Sequence, residues 1–370
     1  MNFHSVANNS QCSRIIGSIV FNRSLDHGFH RFLIGDYTDF NRRKVGFYMT
    51  STLNTSESRS FTMASKVKDY FQLIKFTLSF TVVFSCIICY LLAPNIVSYN
   101  WGMIGLLLLA GMLVTGSANA INQSVEKDTD AMMKRTSSRP VADGRMSQQE
   151  AYIFATITGL LGIFMMGWFF TGDDNGFNWN AALLSGFSLF LYAFIYTPLK
   201  KVNSIAVLVG AFPGALPCLI GWVAATNMIN PFGTVFANGK EFSNAGGWIL
   251  FAIQFIWQFP HFWAIAWVAH SDYSKAGFKL LPADKGPTKF TAIQGIMYSV
   301  LMIPVGILPY YFGMAGEVSM WILVVANLFM VIQSIRLYNE MNAKAARRVM
   351  FSSYIYLPIV LLALLADKIS

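Results

Sequence analysis

Asn122, Glu126 and Asp130 stand four residues apart in a polar stretch that directly follows an apolar run. On an α-helix this spacing stacks three oxygen-bearing side chains in one row, a turn apart and about 12 Å long. Hard oxygen ligands suit Mg2+, which usually takes one or two carboxylates and completes its shell with substrate phosphates. Asp128 falls off the row and is expected to face solvent. Lys134, Arg135 and Arg139 follow directly; guanidinium groups bind phosphate bidentately and stay charged. An acidic row and then a basic cluster, at the mouth of a hydrophobic segment, suits a metal-bound diphosphate. The same residues would also suit a solvated helix end whose charges set membrane topology. Carboxylates at a membrane edge are costly and usually functional, which favours the first reading.

Two more groups offer matching chemistry. Tyr196 and Lys200, in YTPLK, bring a phenol and an ammonium that could reach the same phosphate; an interfacial tyrosine and a snorkelling lysine is the alternative. In residues 257–282, His261 lies among aromatic residues and Asp272 is followed by Lys275 and Lys279. Asp272 is a candidate for the second metal-binding side, and the two lysines for phosphate contacts. His261 is a candidate for contact with an acceptor or for proton transfer, against the plainer reading of a hydrogen-bonded buried histidine. The sequence has no HExxH, P-loop or GxSxG motif, and no nucleophile with a base beside it. Metal and cations are therefore expected to stabilise a departing diphosphate. The allylic cation left behind must be kept from water, and aromatic faces help to hold it.

The elements that must position these residues are membrane helices. The chain is 55% hydrophobic and 12% charged, against about 25% charged in a soluble domain. The charges are cleared segmentally, as in a polytopic membrane protein. Nine apolar stretches approach the ~20 residues a spanning helix needs, near 74–93, 101–122, 149–171, 179–197, 202–226, 246–268, 289–312, 317–337 and 349–366. The all-α expectation is thus a nine-helix membrane bundle. Basic and non-basic loops alternate, with Lys66, Lys68 and Lys75 before the first span and acids only, Asp173 and Asp174, between the third and fourth spans. By the positive-inside rule the N-terminus is expected inside and the C-terminus outside. The net charge of +9 is then topological, with no nucleic-acid partner implied. Pro213, Pro217, Pro260, Pro304 and Pro358 fall within spans and should kink them. Cys86 and Cys89 form a CxxC inside an apolar run without a second pair, so they read as small residues of a membrane helix. Residues 1–62, rich in Arg, Ser and Asn, are expected to be a poorly ordered extension of a domain spanning 63–370. They are either a stretch ahead of a natural start at Met63 or a transit peptide; Asp26, Asp36 and Asp39 weaken the second.

NxxxExxxDAxMKRTxxRP at 122–140 resembles the first motif of the UbiA-type intramembrane prenyltransferases, and YTPLKK their YxxxK element. GAFPGALPCLIGW at 210–222 and WQFPHFWAIAW at 257–267, followed by DYSKAGFKLLP, look like those of the members that farnesylate haem. The similarity runs over about residues 66–366. It implies transfer of a farnesyl group from farnesyl diphosphate to a vinyl carbon of haem B, giving haem O. The cofactor would be Mg2+ and the location a bacterial inner membrane rather than a mitochondrial one. Haem A synthase or terminal oxidase assembly proteins would be partners. Asn122, Glu126, Asp130 and Asp272 would be the catalytic, metal-side residues; Lys134, Arg135, Arg139, Tyr196, Lys200, Lys275 and Lys279 the diphosphate side; and His261 the haem side. Glu126 replaces a commoner Asp, and Ala276 stands where many members have a second acid, which leaves the second metal side fewer protein ligands. A quinone or chlorophyll-type acceptor, and a haem-handling or transport protein without catalysis, are the competing readings.

Overall fold

The alternation of long apolar runs and short polar loops folds as helices throughout the computed structural model, which describes residues 63–168, 176–283 and 286–369. The expected extension at 1–62 and the acids Asp173 and Asp174 lie outside the described residues. The helices are α1 (Met63–Leu73), α2 (Phe76–Leu92), α3 (Trp101–Val125), α4 (Lys127–Met132), α5 (Gln148–Trp168) and α6 (Trp179–Leu199). They continue as α7 (Ala206–Thr226), α8 (Gly246–Val268), α9 (His270–Lys275), α10 (Lys289–Tyr311), α11 (Glu317–Glu340) and α12 (Ala343–Ala366). Between α7 and α8 lies one antiparallel hairpin, β1 (Thr234–Ala237) and β2 (Lys240–Ser243), with Thr234 opposite Ser243. Eight of these helices are long and apolar enough to cross a membrane, and nine spans result if the bent pair α1–α2 is one of them. This is the multi-pass α-bundle expected.

The long helices form a closed ring. Each packs on the next in chain order, and α12 returns to pack on α2; α2 also meets α7 across the middle, and α8 meets α12. The main core therefore gathers residues from both ends of the chain, including Cys89, Trp222, Leu250, Leu323 and Leu361. Close approach of α7 to α2 depends on Gly221, where a Cβ would stand 2.0 Å from the Cys86 carbonyl oxygen.

Two breaks fall outside the five proline positions expected to kink the spans. The first span does not begin as continuous helix at 74. Lys75 adopts a left-handed conformation, φ 48°, and α1 and α2 meet there at 51°. Neither glycine nor proline causes this break. Side chains of α3 hold it: Gln123 Nε2 donates to the Gln72 and Leu73 carbonyls at 2.9 and 2.8 Å, and Asn119 Nδ2 to the Ile74 carbonyl at 3.2 Å. The second break lies in α6, where Leu191–Tyr196 is π-helical. Such turns are frequent at functional sites; here the Tyr192 carbonyl accepts both the Thr197 backbone N–H and Thr197 Oγ1, the latter at 2.8 Å. Proline has a related effect in α7. Pro217 gives the Pro213 carbonyl no helical donor, and Ser188 Oγ donates to it at 3.4 Å.

At the far end of the ring from α4 and α9, Lys368 joins the last residues to the first span. Its Nζ donates to the carbonyls of Leu91, Ala93 and Ile96 at 2.8, 2.7 and 2.8 Å. Leu91 lies in the last turn of α2, whose carbonyls lack helical donors, Ala93 caps that helix, and Ile96 lies in the loop beyond it. Lys368→Met keeps the stem and removes the donors. It should cost roughly 1–3 kcal/mol, read as a lower melting temperature in detergent with unchanged membrane insertion. An unchanged melting temperature would show that water serves these carbonyls equally well.

Candidate active site

The row Asn122, Glu126, Asp130 lies at the end of α3 and across its junction with α4. Glu126 caps both helices with φ −93° and ψ 12°, so the row is not on one unbroken helix. The i, i+4 bonds survive the bend: Glu126 N donates to the Asn122 carbonyl at 3.0 Å and Asp130 N to that of Glu126 at 2.7 Å. All three side chains are buried, and Asp128 is exposed as expected.

Each member of the row faces a cation. Lys75 Nζ donates to Asn122 Oδ1 at 3.0 Å, and Asn122 Nδ2 donates to Thr197 Oγ1 at 3.2 Å. Lys200 Nζ lies 2.5 Å from Glu126 Oε1. Arg139 Nη1 donates to both oxygens of Asp130, at 2.8 and 2.7 Å. Three stretches distant in sequence thus meet in one cluster: the α1–α2 break, the α3–α4 junction with the loop that follows α4, and the end of α6. Burial pushes the Lys200 ammonium below the ordinary lysine range; the Glu126 carboxylate works against this, and the nearby Arg139 charge adds to it. Lys200 also lies over the rings of Tyr196 and Phe278, 4.9 and 5.4 Å from their centroids.

The π turn matters here because it sets the register of Tyr196 and Lys200. The Tyr196 ring rests against Gly210 of α7, where a Cβ would come within 2.6 Å of Tyr196 Cε2. The glycine in the 210–222 segment therefore makes room for a ring beside the charged cluster.

The second acid-bearing segment reaches the same place. Met133, after α4, packs with Ala276 and Phe278, after α9, and Lys279 N donates to the Lys200 carbonyl at 2.8 Å. Arg135 Nη2 donates to Tyr273 Oη at 3.1 Å. Tyr273 beside it, helped by the charges of Asp130 and Asp272, holds the Arg135 guanidinium above its ordinary range against the burial that would lower it. Asp272 is half-buried and stands within electrostatic reach of Arg135. Ala276 is buried in the small apolar cluster with Met133 and Phe278, so packing accounts for the missing acid at that position. Lys134, Lys275 and Lys279 are exposed and lie outside the buried pairs.

His261 lies on α8, about 10 Å of helix inward from its end at Val268. It faces α12 through Ser353 and Tyr354 and stacks on Trp257 at 4.6 Å. Tyr354 is within electrostatic reach of Arg135, which connects this aromatic wall to the charged cluster.

Such a site, an acid row paired with cations at one end of a nine-span ring, can be compared with known proteins. Residues 82–356 match the model of the UbiA prenyltransferase family. The chain belongs to that family. Its UbiA relatives include the protoheme IX farnesyltransferase of Cytophaga hutchinsonii, 44% identical over 307 residues that cover 83% of this chain and 100% of that protein. That of Flavobacterium johnsoniae is 39% identical over 306 residues, covering 81% and 94%. UbiA structures share the fold. A digeranylgeranylglyceryl phosphate synthase has a TM-score of 0.64 at 21% identity, covering 82% of this chain and 98% of that one. A UbiA homologue from Archaeoglobus fulgidus bound to GPP and Mg2+ has a TM-score of 0.51 at 14% identity, covering 80% and 99%. The chain is accordingly a membrane prenyltransferase.

Lys75 is the cluster member that the sequence alone does not single out, since it reads as one more positive charge ahead of the first span. Tyr273 and Thr197 are missed for the same reason: each is an ordinary neighbour of a motif residue. Lys75→Met should raise KM for the prenyl diphosphate by about tenfold or more, as expected for loss of a charged hydrogen-bond donor. Steady-state kinetics in detergent or vesicles measures this, and an unchanged KM would make Lys75 a purely structural partner of Asn122.

Proposed function

We propose that this chain transfers a farnesyl group from farnesyl diphosphate to a vinyl group of haem B, giving haem O. Residues 63–370 are the catalytic unit, and the charged end faces the cytoplasm of a bacterial inner membrane, as the lysine and arginine distribution suggests. The observation that carries the reading is the set of three cations, buried Lys200 and half-buried Lys75 and Arg139, each resting on one buried member of the α3–α4 row. The names of the relatives supply the acceptor.

The donor set fits Mg2+. Asn122, Glu126, Asp130 and Asp272 offer hard oxygens only, and among the described residues no group of three or more His, Cys, Asp or Glu could hold a metal by itself. Mg2+ usually depends on substrate phosphates for the rest of its shell, and the Archaeoglobus homologue was solved with both a prenyl diphosphate, GPP, and Mg2+. When bound, the ion neutralises charge on the diphosphate as its bond to carbon breaks.

The protein's own residues do the remaining work. Buried ion pairs gain little net stability, because desolvation offsets the Coulomb attraction. A bound polyanion would re-pair Lys75, Lys200 and Arg139 as it draws them off their partners, and its metal would take up the row's oxygens, so that neither side is left as an uncompensated buried charge. Arg135, held by Tyr273, adds a further guanidinium from the rim. The allylic C–O bond breaks with its electron pair leaving on the diphosphate. The π electrons of the vinyl group form the new C–C bond. The carbocation left on the acceptor takes the oxygen of a water, which releases one proton. The wall of Trp257, His261 and Tyr354 shields the cationic stage from bulk water.

Expression in a host lacking its own haem O-forming enzyme, followed by haem extraction and chromatography, should yield haem O. Asp130→Asn should lower the yield on the order of a hundredfold with the protein still inserted. Farnesylation of 4-hydroxybenzoate in place of haem B would overturn the acceptor. Because the Lys200 pKa is lowered, its charge is lost at a lower pH than that of a free lysine. The alkaline limb of kcat/KM, which reports free-enzyme groups, should lie below the ordinary lysine range and move upward in Lys200→Arg.

A further inference from the structure

The aromatic wall contains a hydrogen-bond chain that fixes one histidine tautomer. Ser353 Oγ donates to the Met350 carbonyl at 2.6 Å. A hydroxyl has one proton and two lone pairs, so the same oxygen must accept the bond it shares with His261 Nδ1 at 2.8 Å. His261 therefore carries its proton on Nδ1, and Nε2 is left with a bare lone pair. Trp257 supports both members: its Nε1 donates to the Ser353 carbonyl at 3.1 Å, and its ring stacks on the imidazole at 4.6 Å and 18°. Tyr354 meets the other side edge-on at 5.2 Å. The imidazole cannot rotate without losing the stack and the Ser353 bond. His261 is half-buried, and no described residue bonds its Nε2, so that nitrogen's lone pair is not taken up by a described protein donor.

We propose that Ser353 is a positioning residue, holding His261 so that its bare Nε2 ligates the iron of the haem acceptor. The proposal rests on the haem reading above. A neutral imidazole fixed through its other nitrogen is a common donor to iron, and the partner that fixes the ring tunes the metal's binding. Ligation at one point would also orient the macrocycle, bringing one edge toward the charged cluster through the Tyr354 side of the wall.

The test uses the full chain purified in detergent and titrated with ferric haem B. Absorption spectra and thermal unfolding are followed in parallel. The parent should bind with a nitrogen-ligated spectrum that His261→Ala lacks. Ser353→Val should weaken binding about ten- to a hundredfold and alter the spectrum. Ser353→Thr, close to valine in shape but keeping the hydroxyl, should restore both. If Ser353→Val keeps the parent's spectrum and affinity, or changes only the melting temperature, Ser353 does not act through the iron and the inference fails. A His261→Ala variant with the parent's spectrum refutes it equally. If the parent neither binds nor farnesylates haem B, the acceptor reading fails too; if it does both while Ser353→Val matches it, only the inference fails.

Discussion

Charge buried at the end of an apolar bundle is tolerable only when it is paired and hydrogen-bonded. The architecture at that end follows from this requirement. The polar face that runs from Asn119 on α3 to Asp130 on α4 collects the groups that need partners, and the partners come from separate parts of the fold. Gln123 and Asn119 satisfy the carbonyls of the α1–α2 break, which brings Lys75 in. Asn122 turns toward Thr197 at the end of α6, and Glu126 takes Lys200 one residue beyond that helix. Asp130 turns the loop after α4 back on itself through Arg139, while Thr136 Oγ1 donates to the Asp130 carbonyl at 2.9 Å. The same loop is tied to α1 by Arg145, whose Nε donates to Asp69 at 2.9 Å. These contacts tie the first span, the α3–α4 junction and the end of α6 together and leave the cluster internally neutralised.

Much of this was legible in the sequence. Periodic clearing of charge marked the spans, and the Asn122–Arg139 stretch marked the site because its residue types and spacing are unusual at a membrane edge. What stayed hidden depends on tertiary context. The break at Lys75 has no glycine or proline to announce it; side chains from α3 impose it. The π turn at Leu191–Tyr196 has Pro198 just after it, which gives the Phe194 carbonyl no helical donor, yet nothing local specifies a π turn rather than a kink, and this turn sets the register of Tyr196 and Lys200. The expectation of one straight row from Asn122 to Asp130 missed the bend at Glu126, where α3 gives way to α4. Charge alone also could not sort the lysines. Lys75 and Lys200 are drawn into the cluster, whereas Lys134, Lys275 and Lys279 remain at the exposed rim.

The small residues of α7 show how the helices come close enough for these contacts. Gly210 admits the Tyr196 ring, and Gly214 lies against the Gln258 amide, which reaches back to the Ala211 carbonyl at 2.9 Å. Gln254 donates to the Gly214 carbonyl at 2.7 Å and accepts from Cys218 Sγ at 2.7 Å. A helix interrupted by Pro213 and Pro217 is thereby braced along its length by glutamines of α8. The thiol of Cys218 is committed to this bracing. That agrees with reading the membrane cysteines as packing residues.

The ring has a seam. One flank of the span carrying Lys75 is closed by α12 and its far end is capped by Lys368, so the first and last described spans share a wall. Without that contact α2 keeps its neighbours α3 and α7 but lies open on the side toward α12. Closure of the chamber is therefore a long-range contact, and it exists only when the two ends of the described bundle meet.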